Sequence, residues 1–143
     1  MSMDASAYKT ADTLGKSPIE LVLQVYDGAI SELTAARAKY VEVKYADGYN
    51  HLQRVERMIT HLYTTLDMEA GGEVAANLGK LYAWVITKIH EVQATKEITR
   101  FDECLRVLVN LREGWAAIRT QAMPSRTPEN ETKIPAGRLE MVG

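Results

Sequence analysis

Proline stands at positions 18, 124, 128 and 135 and nowhere between 19 and 123. Proline removes a backbone donor and clashes with the preceding turn, so so long a span without it favours helix throughout. Inside the span the apolar residues recur every three or four positions, as in helices that bury one stripe.

The stretch from Ser17 to Leu33, SPIELVLQVYDGAISEL, opens the first helix. Ser17 is a good N-cap, Pro18 suits the first helical position, and Glu20 falls where a capping-box acid reaches back. Ile19, Val22, Leu23, Tyr26, Ala29, Ile30 and Leu33 form a broad stripe that continues through Ala36 and Tyr40 towards Lys44. Tyr45 to Tyr49, with Asp47-Gly48, reads as a connection, and Asn50 as the cap of a second helix carrying Leu52, Val55, Ile59, Leu62 and Leu66. Gly71-Gly72 reads as a stop, with a third helix from about Glu73 carrying Val74, Leu78, Leu81, Val85, Ile89 and Val92. Thr99 with Asp102 offers a cap for a fourth helix, which carries Phe101, Cys104, Leu108, Leu111, Trp115 and Ile118 and ends near Met123-Pro124. Short connections favour antiparallel neighbours. The expectation is an all-α protein: an antiparallel up-down four-helix bundle over 17–123, a mobile N-terminal arm over 1–16 and a disordered C-terminal tail over 124–143.

Composition narrows the function. A net charge of −2 supplies no basic field for nucleic acid. A single cysteine, Cys104, excludes an internal disulfide and fits a reducing compartment. The opening MSMDASAYKT has no apolar core of a signal peptide, and the longest apolar run, Leu81 to Ile86, is far short of a membrane span. The expectation is a cytoplasmic protein with no membrane insertion.

Helical bundles often hold metals, so carboxylate–histidine motifs matter. The residues three before His51, His61 and His90 are Gly48, Met58 and Thr87, so no Glu-x-x-His motif is present, and H-E-x-x-H is absent as well. These histidines read as surface or helix-end residues. Cys104 falls on an apolar stripe with no neighbouring histidine and reads as a small buried hydrophobe. Gly71-Gly72-Glu73 lacks the lysine and hydroxyl of a phosphate loop. Asp27, Asp67 and Glu73 suit capping or dipole roles. Nothing argues for catalysis, a metal or another cofactor.

The apolar surplus is the stronger lead. Leu21, Val25, Met58, Tyr63, Tyr82, Trp84, Ile86 and Val109 lie beside or off the main stripes. A bundle with broad helix faces buries such residues, or leaves them as scattered exposed apolars. Together they suggest a groove for another amphipathic segment.

Three stretches, in order along residues 7–118, carry a resemblance. The first is Ala7-Tyr8, a spacer, Ser17-Pro18, and Tyr26-Asp27-Gly28-Ala29-Ile30. The second is Leu66-Asp67 followed by Gly71-Gly72-Glu73-Val74-Ala75, Asn77-Leu78 and Leu81-Tyr82. The third is Leu111-Arg112 with Gly114-Trp115. The sequence resembles the FliS family of flagellar secretion chaperones. It departs from the family pattern at Gln24, Ala83 and Arg54-Val55. The resemblance implies a bundle that binds the disordered C-terminal part of flagellin, blocks premature polymerisation and keeps the subunit fit for type III export, with the export gate as a further partner. It implies no nucleotide or metal. It also implies that the N-terminal arm, through Tyr8, covers part of the binding surface until flagellin displaces it. The flagellin-binding residues expected here are Tyr8, Leu14, Leu21, Val25, Tyr82 and Ile86, of which Tyr8 comes from the resemblance and the others from off-stripe geometry. An arm that docks on its own bundle can dock on a neighbour's, which would give a homodimer by arm exchange. The alternative reading is a bundle adaptor or regulatory scaffold that binds another amphipathic helix.

Overall fold

The computed structural model describes residues 7–8 and 17–122. Four helices follow one another: α1 (Pro18–Val41), α2 (Tyr45–Thr64), α3 (Met68–Thr95) and α4 (Ile98–Ala122). They form an antiparallel bundle in which α1 packs on α2 and α4, and α3 packs on the same two helices from the opposite corner. The expected arm residues 1–6 and 9–16 and the expected tail lie outside the described residues.

The start of α1 is as the sequence reads. The Glu20 N–H donates to Ser17 Oγ and the Ser17 N–H donates to Glu20 Oε1, both at 3.2 Å, so two otherwise orphaned donors are satisfied reciprocally. Its end comes sooner than Lys44. Val43 adopts φ 63°, which turns the chain in three residues, so that α2 starts at Tyr45 and not at Asn50. Asp47-Gly48 is therefore helical. A Cβ at Gly48 would overlap the Tyr40 ring, so this glycine serves the close approach of α1 and α2 and not a turn.

Gly71-Gly72 is not the stop of α2. That helix ends at Thr64, where the Thr65 hydroxyl donates to the His61 carbonyl at 2.7 Å. Asp67 then caps α3 by accepting the Ala70 N–H at 3.0 Å, five residues before the expected start near Glu73. Gly72, at φ 52°, kinks the helix after its first turn. Likewise α4 starts at Ile98, so Thr99 lies within its first turn.

The core contains Tyr26, Leu33, Leu52, Ile59, Leu78, Tyr82, Ile89, Phe101, Leu108 and Trp115, each 1% exposed or less. Cys104 is buried among them, as a small hydrophobe would be. Desolvation pushes its thiol up to about 12, which leaves it protonated and unreactive at neutral pH. Two ion pairs, Arg37–Asp102 at 2.8 Å and Arg112–Asp27 at 2.6 Å, are spaced equally along α1 and α4 and hold their antiparallel register.

Candidate binding groove

The N-terminal end of α1, the C-terminal end of α2 and the start of α3 meet at one end of the bundle. Leu21 and Val25, one turn apart on α1, are only half-buried there. With Pro18, Val22 and Gln24 they face His61, Leu62, Thr64, Thr65 and Leu66 across a groove of about 550 Å³. Tyr8 forms part of its wall. A shallower depression lined by Val25, Arg54, Arg57, Met58 and His61 extends it along α1 and α2, since Val25 and His61 belong to both.

Two residues of the arm, Ala7 and Tyr8, dock at this site. The Asp67 N–H donates to the Ala7 carbonyl at 2.7 Å, and Tyr8 makes a single antiparallel bridge to Leu66. Ala7 is fully buried and Tyr8 is 6% exposed. The Tyr8 ring stands edge-on to Trp115 with centroids 5.4 Å apart. Its hydroxyl donates to the Leu62 carbonyl at 3.3 Å and lies 2.8 Å from the Tyr82 hydroxyl, which in turn lies 2.5 Å from that of Tyr26. If Tyr8 donates to Leu62, the order is fixed: Tyr82 donates to Tyr8, and Tyr26 donates to Tyr82. The indole Nε1 of Trp115 is buried without an acceptor in hydrogen-bond geometry, although it acts on Tyr26 in the sense that favours the phenolate.

Burial raises all three phenols. Desolvation is the dominant cause for each, and it pushes Tyr26 up to about 12 against the opposing hydrogen bond from Tyr82 and the nearby Trp115 indole. Desolvation also holds Tyr8 and Tyr82 well above the ordinary phenol value. All three are neutral hydrogen-bonding groups at physiological pH, not bases.

The residues expected at the site are distributed as follows. Tyr8, Leu21 and Val25 come together around one groove. Tyr82 is fully buried beneath the arm and reaches the site only through the Tyr8 hydroxyl. Ile86, one turn further along α3, is half-buried against the core and does not line the groove. Leu14 lies outside the described residues. Sequence reasoning missed Trp115 as an arm contact and Tyr26 as the end of the hydroxyl chain, because an apolar stripe reports burial and not what a hydroxyl or a ring meets. It also missed Leu62, Leu66 and the threonines after α2. Their only signal is the run Thr64-Thr65 at a helix end. Among the described residues no three His, Cys, Asp or Glu side chains gather into a set able to hold a metal ion, and no helix is long and apolar enough to cross a membrane.

The described residues thus form a helical bundle with an open apolar groove beside the docked Ala7-Tyr8. The comparisons with known proteins name the kind. The model of the family described as flagellar protein FliS matches residues 1–122, and the chain belongs to that family. The flagellar secretion chaperone FliS of Salmonella typhimurium is 29% identical over 110 residues, covering 76% of this chain and 82% of its own. The flagellar secretion chaperone FliSB of Pseudomonas aeruginosa is 26% identical over 102 residues, covering 71% of this chain and 81% of its own. The Campylobacter jejuni flagellar secretion chaperone FliS is 26% identical over 113 residues, covering 79% and 88% respectively.

Proposed function

We propose that this protein is a non-enzymatic, cytoplasmic export chaperone that binds the disordered C-terminal segment of flagellin, prevents its premature polymerisation and keeps it competent for type III flagellar export. The family supports the export role. The observation that carries the binding mode is the groove of about 550 Å³ in which Leu21 and Val25 stay half-exposed beside the arm residue Tyr8. A domain with an adequate core has no need of that surface. An amphipathic segment laid along α1 and α2 would cover it. Each apolar side chain taken fully from water contributes ~1.5–3 kcal/mol, and several such contacts offset the cost of ordering a disordered segment.

On this reading Tyr8, Leu14, Leu21 and Val25 belong to the flagellin-binding surface, the arm with Tyr8 covers its part of that surface until flagellin displaces it, Tyr82 lies beneath the arm, and Ile86 takes part at the far side of the surface. The export gate is the next partner in sequence, and arm exchange between two copies would give a homodimer through the same Tyr8 contacts. The test is calorimetry of the full chain against the C-terminal segment of flagellin from the same organism. Tight 1:1 binding with favourable enthalpy and a negative heat-capacity change is expected, because the segment folds as it binds. No heat and no co-elution at micromolar concentrations would sink the flagellin assignment.

A further inference from the structure

We propose that the pocket occupied by Tyr8 is a selective socket for an aromatic ring bearing a hydroxyl, so that a segment replacing the arm seats a tyrosine there. This rests on the reading that a partner segment displaces the arm.

The polar end of the pocket carries one donor and one acceptor, both dry. The donor is the Tyr82 O–H, directed at the Tyr8 oxygen at 2.8 Å. The acceptor is the Leu62 carbonyl. Within the helix that carbonyl would take the Leu66 N–H, but the Leu66 N–H goes to Tyr63 O at 3.4 Å as α2 ends. The Leu62 carbonyl is served instead by two hydroxyls, those of Tyr8 and Thr65, each at 3.3 Å. A single hydroxyl at the position of the Tyr8 oxygen satisfies both groups at once, by accepting from Tyr82 and donating to Leu62. A bare ring satisfies neither. It leaves a phenol proton of the fully buried Tyr82–Tyr26 pair without an acceptor, the circumstance in which a missing hydrogen bond is most costly.

The apolar end of the pocket selects the ring. Trp115, inclined at 61° with its centroid 5.4 Å from that of the Tyr8 ring, offers a T-shaped contact to an aromatic occupant. Beside it, Ala7 and Leu66 leave the backbone open to an extended segment, since the Asp67 N–H needs a carbonyl where Ala7 supplies one at 2.7 Å. The occupant is therefore a segment with a tyrosine one residue beyond the carbonyl that meets Asp67.

The test uses the full chain with Tyr8→Ala and two small probes, p-cresol and toluene, which differ by the hydroxyl. Titration of the isotopically labelled protein, followed by NMR at the amides of Leu62, Leu66 and Asp67, gives both dissociation constants. p-Cresol is expected to bind about tenfold or more tightly than toluene, and the added Tyr82→Phe is expected to erase the preference. Equal or tighter binding of toluene, or no shift of those amides by p-cresol, overturns the socket. Should Tyr8→Ala fail to fold, the full chain with Tyr8→Phe carries the test through hydrogen exchange of Asp67. Exchange is expected to be about tenfold faster there with Ile59 unchanged, and unchanged Asp67 exchange overturns the proposal. Calorimetry with the flagellin segment separates the two readings. A socket that prefers p-cresol in a protein that ignores flagellin refutes the flagellin assignment alone, and the converse refutes the socket alone.

Discussion

The two ends of the bundle are both lined with aromatic rings, and they are built in opposite ways. At the end where α1 turns into α2, Tyr40 stands edge-on to Tyr45 and Phe101 with centroids 5.0 and 5.1 Å apart. The turn that closes it is three residues long and is held by the Val43 N–H on Tyr40 O at 3.0 Å and the Lys44 N–H on Lys39 O at 2.8 Å. A β-branched residue at positive φ is strained, and it persists only where its surroundings over-determine it. At the other end the rings are Tyr8, Tyr26, Tyr82 and Trp115, three of them joined through hydroxyls. One of the four, Tyr8, arrives from 54 residues away in the chain from Leu62 and 74 from Tyr82. At the closed end Tyr40 and Tyr45 are brought together by that short turn, and Phe101 joins them from the start of α4. The arm end is completed by Ala7 and Tyr8, which belong to none of the four helices. The same residue type thus joins helices to one another in one place and joins a segment outside them to the bundle in the other, and the difference lies in how the chain delivers the ring.

The largest expected effect tests whether the closed end is the permanent one. Phe101→Ala removes a ring that is 1% exposed and should destabilise the whole bundle by ~3–5 kcal/mol, as deletion of a packed aromatic does. Tyr8→Ala should cost less in global stability, because it undocks the arm and leaves the four helices packed on one another. Urea denaturation followed by far-UV circular dichroism ranks the two. A larger loss for Tyr8→Ala than for Phe101→Ala would reverse the contrast and make the arm part of the folding core.

The contrast also separates what the sequence makes legible from what it hides. The four stripes were readable because helix periodicity repeats locally, and the Ser17–Glu20 capping box was readable because all its atoms lie within one turn. Glycines misled where their reason was tertiary. Gly48 looks like a turn residue, and its missing side chain in fact makes room for Tyr40. Gly71-Gly72 looks like a stop, but the helix had ended already at Thr64, where hydroxyls satisfy the last carbonyls. At the groove, Leu21 and Val25 were visible as apolar residues off the main stripe. The hydroxyl chain through Tyr8, Tyr82 and Tyr26 was not, because hydrogen bonds between residues so far apart leave no periodic trace.

A second, intermediate effect distinguishes the arm end by pH. Burial raises Tyr8, Tyr26 and Tyr82 above the ordinary phenol value of about 10. A group whose folded value is raised contributes its full stability below the unfolded value and loses it as pH climbs through the folded one. Unfolding free energy should therefore be flat with respect to these phenols up to about pH 10 and fall from there towards pH 12, the value of Tyr26. The fall should be shallower in Tyr8→Phe and Tyr82→Phe. Urea midpoints between pH 8 and 11, read as differences between each variant and the parent, check this with the lysine titration common to both. Parallel curves would mean that the hydroxyls at the arm end are not held away from water.

The smallest expected change in stability is at the groove itself, and it sharpens the comparison most. Leu21 is half-buried at the groove and lies outside the fully buried core. An aspartate there can keep its carboxylate in water, and near the N-terminus of α1 it lies on the side of the helix dipole that favours negative charge. Leu21→Asp should then shift the urea midpoint little, within the roughly 0.5 kcal/mol typical of surface substitutions. The same change places a charge on the surface that a flagellin segment would dry, where it has no partner to offset its desolvation. Binding of the segment should weaken by at least about tenfold, while far-UV circular dichroism keeps its helical amplitude. Unfolding of the variant would assign Leu21 to the core and close the groove as a binding surface. Unchanged binding in a folded variant would move the flagellin contact elsewhere on the bundle. Weak binding by a stable protein would show that the arm end keeps its half-exposed apolar surface for a partner.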